Sequence, residues 1–405
     1  MPDRIRVLQV ITRLVCGGAQ RIVLDLAASL DPDEFDVVLA TGTQEGSEGS
    51  LWDEARSLGI TVVKVPHLVR EVAPLQDYLA FRELRRLIAE ERPQIVHAHT
   101  SKAGFLGCVA AARERVPGVV FSPHGHILGS GARIPGVPAQ GLRRRVLAGL
   151  ARYGARCADV VIAPNDHERE DGVQLDMWSL RQSVTVPNGT DTRRFVPWDR
   201  VEARRRLDSH LPSGTPCVGV VARLTEEKGV DVAIEALARM RRDVHLVIAG
   251  DGPQREPLAA LVRRRGLAAR VTFLGVVGAV ERLLPGFDAI AIPSRTEAHG
   301  MIAAEALACE VPVVASAVGG LRGLVQSGTT GLLVQPDDPQ ALASALEELL
   351  DEPDRARNMG RAGRCFIEEM FSRDRMVQAT ERIYRHLAGA RAAHTAAKPR
   401  VRVPA

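Results

Sequence analysis

The chain has 405 residues, enough for two domains of ordinary size with a core each. It is 45% apolar and 25% charged, a globular balance, and its 4% aromatic content leaves little for stacking on nucleic-acid bases. A net charge of +4 is too small to imply a nucleic-acid partner, and none is expected.

The N-terminal stretch MPDRIRVLQVITRL carries Asp3 and Arg4 where a signal sequence needs an apolar run, so it reads as a buried strand. No apolar run approaches the ~20 residues that span a bilayer. The six cysteines are scattered without a C-x-x-C pair, which argues against a zinc ribbon or redox motif. Reduced thiols and a cytoplasmic location are the expectation.

Along the first half, the short β-branched runs IRVLQVI, FDVVLATG, ITVVKVP, IVHAH, VVFSPHG, VVIAP and SVTVPNG alternate with amphipathic stretches such as AQRIVLDLAASL and YLAFRELRRLIAEE. That alternation predicts parallel strands joined by crossover helices and covered on both faces. At VPNGTDTRRFVPWD, residues 186–199, the pattern stops and reads as a linker. It restarts with CVGVVARL, VHLVIAG, VTFLG, DAIAIPS, PVVASAV and GLLVQP. The prediction is therefore an α/β chain of two doubly wound domains in tandem. In such sheets ligands bind beyond the carboxyl ends of the strands, so two facing edges would make one deep cleft. The last residues, AAHTAAKPRVRVPA, read as a disordered basic tail.

Several stretches carry chemistry. Gly17 and Gly18 in CGGAQ join the first strand to a helix, as a plain tight turn or as a ligand loop. Neither a dinucleotide fingerprint nor a P-loop is present. His97 and His99 end one strand, and His124 and His126 end another. Neighbouring strands would bring them together, but without a carboxylate or cysteine a metal cluster is disfavoured, and His124 is the one expected to reach the cleft. In ARLTEEKG, Arg223 and Lys228 flank a turn before a helix, an arrangement suited to a diphosphate.

In SRTEAHGMIAAEALAC, residues 294–309, Glu297 lies before a helix whose first turn is Gly300, Met301 and Ile302, with backbone amides free for phosphate oxygens. Glu305 follows between alanines, where a carboxylate could accept both ribose hydroxyls or simply face solvent. Between Glu114 and Asp159 there is no acidic residue, while Arg115, Arg133, Arg143, Arg144, Arg145, Arg152 and Arg156 are present. Within it, GLRRRVLAGLARYGAR has helical spacing, with Leu142, Val146, Leu150 and Tyr153 toward one side. It fits either an ordinary surface helix or contact with an anionic membrane or lipid diphosphate. The D-x-D at Asp31-Pro32-Asp33 falls before a strand, at the wrong sheet edge for a site, and reads as a turn.

Jointly, GGAQ, HAHTSKAG, SPHG, VPNGTDTRRF, ARLTEEKG, AGDGP and the Glu297–Glu305 spacing resemble the retaining glycosyltransferases of family 4, over essentially the whole chain to about residue 385. The resemblance implies the GT-B fold of two facing Rossmann-like domains: residues 1–190 for the acceptor, with a helix over 372–389 packing back on them, 191–371 for the nucleotide sugar, and a tail over 390–405. It implies retaining transfer of a hexosyl or N-acetylhexosaminyl group from a UDP- or GDP-sugar. The acceptor is then a hydroxyl in cell-surface polysaccharide or glycolipid synthesis, with a polyprenyl-diphosphate carrier and a peripheral place on the inner membrane face as further expectations.

Residue by residue, the resemblance implies that Arg223 and Lys228 neutralise the leaving diphosphate, Glu297 touches sugar hydroxyls and His124 contacts the donor sugar. Gly300, Met301 and Ile302 would bind phosphate, Glu305 the ribose, and Gly250, Val276 and Val277 would line the donor and base side. Gly17, Gly18, His97 and Lys102 would lie on the acceptor side, and neither a cofactor nor a metal is expected. Two departures stand out: Ala298-His299 replaces the family's usual Gly-Phe, and Leu321-Arg322-Gly323 replaces its Pro-Glu after a Gly pair. The alternatives are a sugar-nucleotide epimerase of the same plan and a non-catalytic nucleotide-sugar-binding protein.

Overall fold

A computed structural model describes residues 4–43, 49–125, 141–208 and 214–396. The chain divides into two compact units, one comprising the residues up to Pro187 together with those from Asp374 onward, the other Asn188–Arg373.

The first unit is built on seven parallel strands: β1 (Ile5–Ile11), β2 (Phe35–Thr41), β3 (Thr61–Lys64), β4 (Ile95–His99), β5 (Gly118–Ser122), β6 (Val160–Ala163) and β7 (Ser183–Thr185), in the order β3-β2-β1-β4-β5-β6-β7. Each expected run of the first half is one of these strands. Leu8 and Val10 pack in one core with Val96, Ala98 and Leu106, while Ile11 and Leu39 pack with Val23 and Leu24 in another. Burial on both faces is why the strands read as continuous apolar runs.

Local chemistry sets the helix ends. Pro74 opens Pro74–Glu91, where its fixed φ suits the first turn and its missing N–H is no loss. Arg92, with φ 47, closes that helix ahead of Pro93. Asn165 caps Asp166–Gln174 by accepting from the Glu168 amide at 2.8 Å.

The C-terminal helix Arg373–Ala396 runs beyond residue 389, where the sequence pattern ends it; residues 397–405 lie outside the described part. Within the first unit, Tyr384 of this helix is fully buried, 6.0 Å from the Phe35 ring. Arg385 makes a two-pronged pair with Glu34, at 2.7 and 2.6 Å. Asp31 Oδ1 accepts from the Asp33 amide at 3.0 Å, so the D-x-D is a turn leading into β2.

The second unit has six parallel strands: β8 (Cys217–Val221), β9 (His245–Ala249), β10 (Val271–Gly275), β11 (Ala289–Ile292), β12 (Val313–Ser316) and β13 (Gly331–Val334), in the order β10-β9-β8-β11-β12-β13. Along β9, Leu246 and Ile248 join one core and Val247 and Ala249 the opposite one. In both units the strand order reverses beside the first strand, between β1 and β4 and between β8 and β11. A ligand site of an open α/β sheet is expected at the carboxyl ends of such a pair.

Candidate functional site

In the second unit the residues expected at the diphosphate meet at that reversal. β8 continues into Ala222–Gly229, whose residues Glu226–Lys228 form one tight helical turn. Gly229 then adopts φ 60, and a Cβ there would lie 2.0 Å from the Pro293 carbonyl oxygen. Only glycine lets this loop lie against the backbone leaving β11. The contact brings Lys228 Nζ to 2.6 Å from Glu297 Oε2, with side chains 26% and 14% exposed. Ser294 Oγ donates to the same oxygen at 3.3 Å.

Arg295 was not singled out in the sequence, yet it ties the two loops together. Its guanidinium forks onto Asp231 at 3.0 and 2.7 Å, reaches Asp337 at 2.7 Å and donates to the Glu226 carbonyl at 2.6 Å. Its amide donates to Glu227 O at 2.8 Å. The hydrogen bonds it donates to Asp231 raise its pKa further, so the clamp stays charged. The one sequence signal for it was an arginine three residues past a buried strand. Arg223 lies 3.4 Å from Glu227 and is about half exposed.

Helix Met301–Ala308 starts at Gly300, which has φ 93 and no side-chain cap. A Cβ on Gly300 would meet Leu321 Cδ2 at 2.6 Å. Intrahelical bonding begins with the Ala303 amide on Gly300 O, so the Met301 and Ile302 amides point out of the helix end with its positive dipole. Glu305 is partly exposed between buried Ala304 and Ala306. Gly250, with φ 137, packs against the Ala222 carbonyl, and its amide donates to Gly275 O at 2.7 Å. Val276, 65% exposed, and the partly buried Val277 follow β10.

The two departures have structural places. His299 is buried, its ring 6.1 Å from that of Phe371, so the imidazole fills interior space on the Phe371 side. A Cβ on Gly319 would lie 1.9 Å from Glu297 O, and Gly320 donates to that oxygen at 3.1 Å. The Gly pair therefore supports the 297–299 backbone, Leu321 packs inward, and Arg322 turns back to donate to Ala317 O at 2.7 Å.

In the first unit the histidines of β4 and the residues after β5 do come together, because these strands are neighbours. His97 is buried, with Nδ1 2.6 Å from the Tyr384 hydroxyl and Nε2 2.8 Å from Ser122 Oγ. Both ring nitrogens are used inside the core, so His97 does not present an acceptor-facing group as expected. His99 Nδ1 lies 3.1 Å from His124 Nε2, the ring planes 24° apart and their centroids 5.3 Å apart. Burial holds all three neutral: His97 is pushed down to about 3, His124 to about 4, and His99 well below the usual histidine range. Among the described residues no group of three or more His, Cys, Asp or Glu could hold a metal ion. His126 lies outside them.

Lys102 is also more enclosed than expected, pairing with Asp77 at 2.5 Å and donating to the Glu71 carbonyl. It pins the entry to helix Pro74–Glu91. Gly17 has φ −170, ordinary extended backbone, so the turn before helix Gly18–Ser29 does not itself require glycine. Helix Leu142–Arg156 buries Ala148, Gly154 and Ala155, while Leu142, Val146, Leu150 and Tyr153 stand 77, 52, 40 and 48% exposed. Arg152 donates to Leu175 O at 3.1 Å and Arg156 pairs with Asp176 at 2.9 Å; Arg133 lies outside the described residues. No helix among the described residues is long and apolar enough to cross a membrane.

The sequence profile described as Glycosyltransferase Family 4 matches residues 16–194, and that of Glycosyl transferases group 1 matches residues 202–366. A GDP-mannose-dependent alpha-(1-6)-phosphatidylinositol monomannoside mannosyltransferase from Mycobacterium tuberculosis is 33% identical over 380 residues, covering 88% of this chain and 92% of its own. The chain belongs to glycosyltransferase family 4. A D-inositol 3-phosphate glycosyltransferase from Nocardia farcinica is 32% identical over 385 residues, 89% of this glycosyltransferase and 84% of its own length. Among solved structures, Anabaena HepE with UDP and glucose superposes with TM-score 0.79 at 22% identity, over 94% of this chain and 99% of that one. The sucrose-phosphate synthase of Thermosynechococcus elongatus gives 0.80 at 23%, over 96% and 100%. These two likenesses establish the GT-B fold of the glycosyltransferase.

Proposed function

We propose that this glycosyltransferase moves a sugar from a nucleotide diphosphate sugar to an acceptor hydroxyl with retention of configuration, without a metal. The carrying observation is the Lys228–Glu297 pair at the β8/β11 reversal, beside the open N-terminus of helix Met301–Ala308. The helix amides, Lys228 and Arg223 supply positive charge for a diphosphate.

In this reading the bond from the anomeric carbon to the phosphate oxygen breaks and the acceptor oxygen bonds the same face. The acceptor proton passes to a departing phosphate oxygen. The protein positions the groups and stabilises developing negative charge. Glu297, held through one oxygen by Lys228 and Ser294, keeps its other oxygen for sugar hydroxyls. Glu305 would accept from the ribose, Val276 and Val277 would meet the base, and His124 would hydrogen-bond a sugar oxygen. Gly17 and Gly18 remain the acceptor-side residues of this reading.

UDP and GDP are both supported as donor nucleotides, since HepE is solved with UDP-glucose and the mycobacterial relative is named for GDP-mannose. The exposed apolar stripe and arginines of Leu142–Arg156 support a lipid-linked acceptor, such as a polyprenyl diphosphate or a glycolipid, at an anionic membrane surface. Peripheral attachment to the cytoplasmic membrane face in polysaccharide or glycolipid synthesis follows from that.

Incubation with UDP- and GDP-sugars, with and without lipid-diphosphate and phosphoinositide acceptors, tests the reading. Transfer releases nucleotide and forms a glycoside whose anomeric coupling matches the donor. Sugar isomerisation without an acceptor would make the protein an epimerase. Binding without turnover would make it a carrier of nucleotide sugar.

A further inference from the structure

His99 has no part in the reading above, yet it is 1% exposed and its Nδ1 meets the one histidine assigned to the sugar. An N···N hydrogen bond between two neutral imidazoles uses a single proton, so one ring donates and the other accepts. Either choice fixes the tautomer of both rings.

The environment of His99 decides which. Its Nε2 is buried and meets no hydrogen-bonding protein atom among the described residues. His97, whose ring centroid is 3.9 Å away, has its nitrogens committed to Tyr384 and Ser122. If His124 donated, the His99 proton would sit on Nε2 as a buried N–H with no acceptor. If His99 donates from Nδ1, only a lone pair goes unmatched, the smaller penalty. His124 Nε2 then accepts, and the proton of His124 must be on Nδ1.

The backbone reinforces this arrangement. His124 has φ 52 and Gly125 has φ 98, so two successive residues in the left-handed region set the direction of the ring just past β5. His124 is only partly buried, which leaves its second nitrogen available. A neutral donor also suits glycosyl transfer, since an imidazolium would repel the positive charge that develops on the sugar ring.

We propose that His99 is a positioning residue that locks His124 as the neutral Nδ1–H tautomer, so that His124 donates a hydrogen bond to an oxygen of the transferred sugar. This rests on the reading of His124 as a sugar contact.

Long-range 1H–15N spectra of the full-length, 15N-histidine-labelled protein report imidazole tautomers directly. His124, assigned by the signal lost in His124→Ala, is expected as Nδ1–H. In His99→Leu the Nε2–H form should appear and kcat fall roughly tenfold, the scale of one hydrogen bond, with the donor KM little changed. In His99→Asn, whose amide N–H can take the place of Nδ1–H, the tautomer and most of the rate should return. An Nε2–H His124 in the unmodified protein, or an unchanged tautomer in His99→Leu, overturns the proposal. The unmodified spectrum decides the tautomer even if neither His99 variant folds. Should the tautomer be as stated while His124→Ala transfers sugar at the normal rate, the sugar-contact reading fails and the role of His99 in transfer falls with it.

Discussion

Lys228 Nζ lies 2.6 Å from Glu297 Oε2, joining the loop after β8 to the loop after β11 where the strand order of the second sheet reverses. The pair holds a cation and a carboxylate ready at one point, each only partly exposed to solvent. In the proposed reading, removing the cation has two effects: it takes away a donor for the leaving phosphate and leaves Glu297 uncompensated. Lys228→Ala should lower kcat roughly 10²–10³-fold, the scale of one lost electrostatic donor. Nucleotide release under saturating donor measures it, and a near-normal rate would reduce the pair to a structural ion pair.

Glu305 sits partly exposed between two fully buried alanines, one turn beyond the N-terminal end of helix Met301–Ala308. Glu305→Ala should weaken nucleoside diphosphate binding roughly 10- to 100-fold, as expected for hydrogen bonds to a charged acceptor. Titration calorimetry with UDP and GDP gives the number directly. Unchanged affinity would return Glu305 to the role of a solvated helix residue.

Gly229 combines φ 60 with a Cβ position 2.0 Å from the Pro293 carbonyl oxygen. Neither side of that contact is a flexible side chain, so the backbone itself must move. Gly229→Ala should destabilise the second unit by about 2 kcal/mol or more and impair turnover, because the loop carrying Lys228 is displaced. Urea unfolding read by a probe in the second unit tests the first part. A wild-type midpoint would show that the two loops separate at little cost.

The buried histidines make the first unit acid-sensitive. His97 is pushed down to about 3 and His99 well below 6.5, in both cases first by burial. Below pH 6.5 the unfolded chain takes up protons that the folded unit refuses. Stability is therefore full above pH 6.5 and falls as the pH drops toward about 3 for His97. Each ring contributes up to about 1.4 kcal/mol per pH unit over that range. Urea midpoints at pH 7 and pH 5 should differ accordingly, and His97→Gln should flatten the dependence. A midpoint independent of pH would mean that these rings are protonated in the folded protein.

Helix Leu142–Arg156 exposes Leu142 and Val146 beside a run of arginines. The protein should co-sediment with anionic phospholipid vesicles at low salt and release in high salt, because much of the attraction is between opposite charges. Leu142→Asp with Val146→Asp should lose most of this binding while the fold is kept, since both side chains are solvent-exposed. Equal binding to neutral vesicles, or none to anionic ones, would remove the membrane from the proposed function.

The strands were legible because a parallel sheet buried on both faces demands apolar, β-branched runs, and all thirteen strands fall on such runs. The candidate diphosphate site rests on a similarly local pattern: glycine, a cation and a helix start in close succession, as in ARLTEEKG and the segment from Ser294. The roles of single polar side chains were less legible. His97, His99 and His124 share a pattern in the sequence, but a tyrosine some 287 residues away commits His97 to the core. Lys102 resembles a ligand-binding lysine until Asp77 claims it.

The sequence by itself determined two tandem α/β units, their strands and the family, because periodicity, turn residues and motif spacing act over a few residues at a time. Only the tertiary structure decided which polar groups meet. Arg295 becomes a clamp through Asp231 and Asp337, and His99 becomes a partner of His124, because a buried hydrogen bond depends on distances set by strand order rather than by sequence separation.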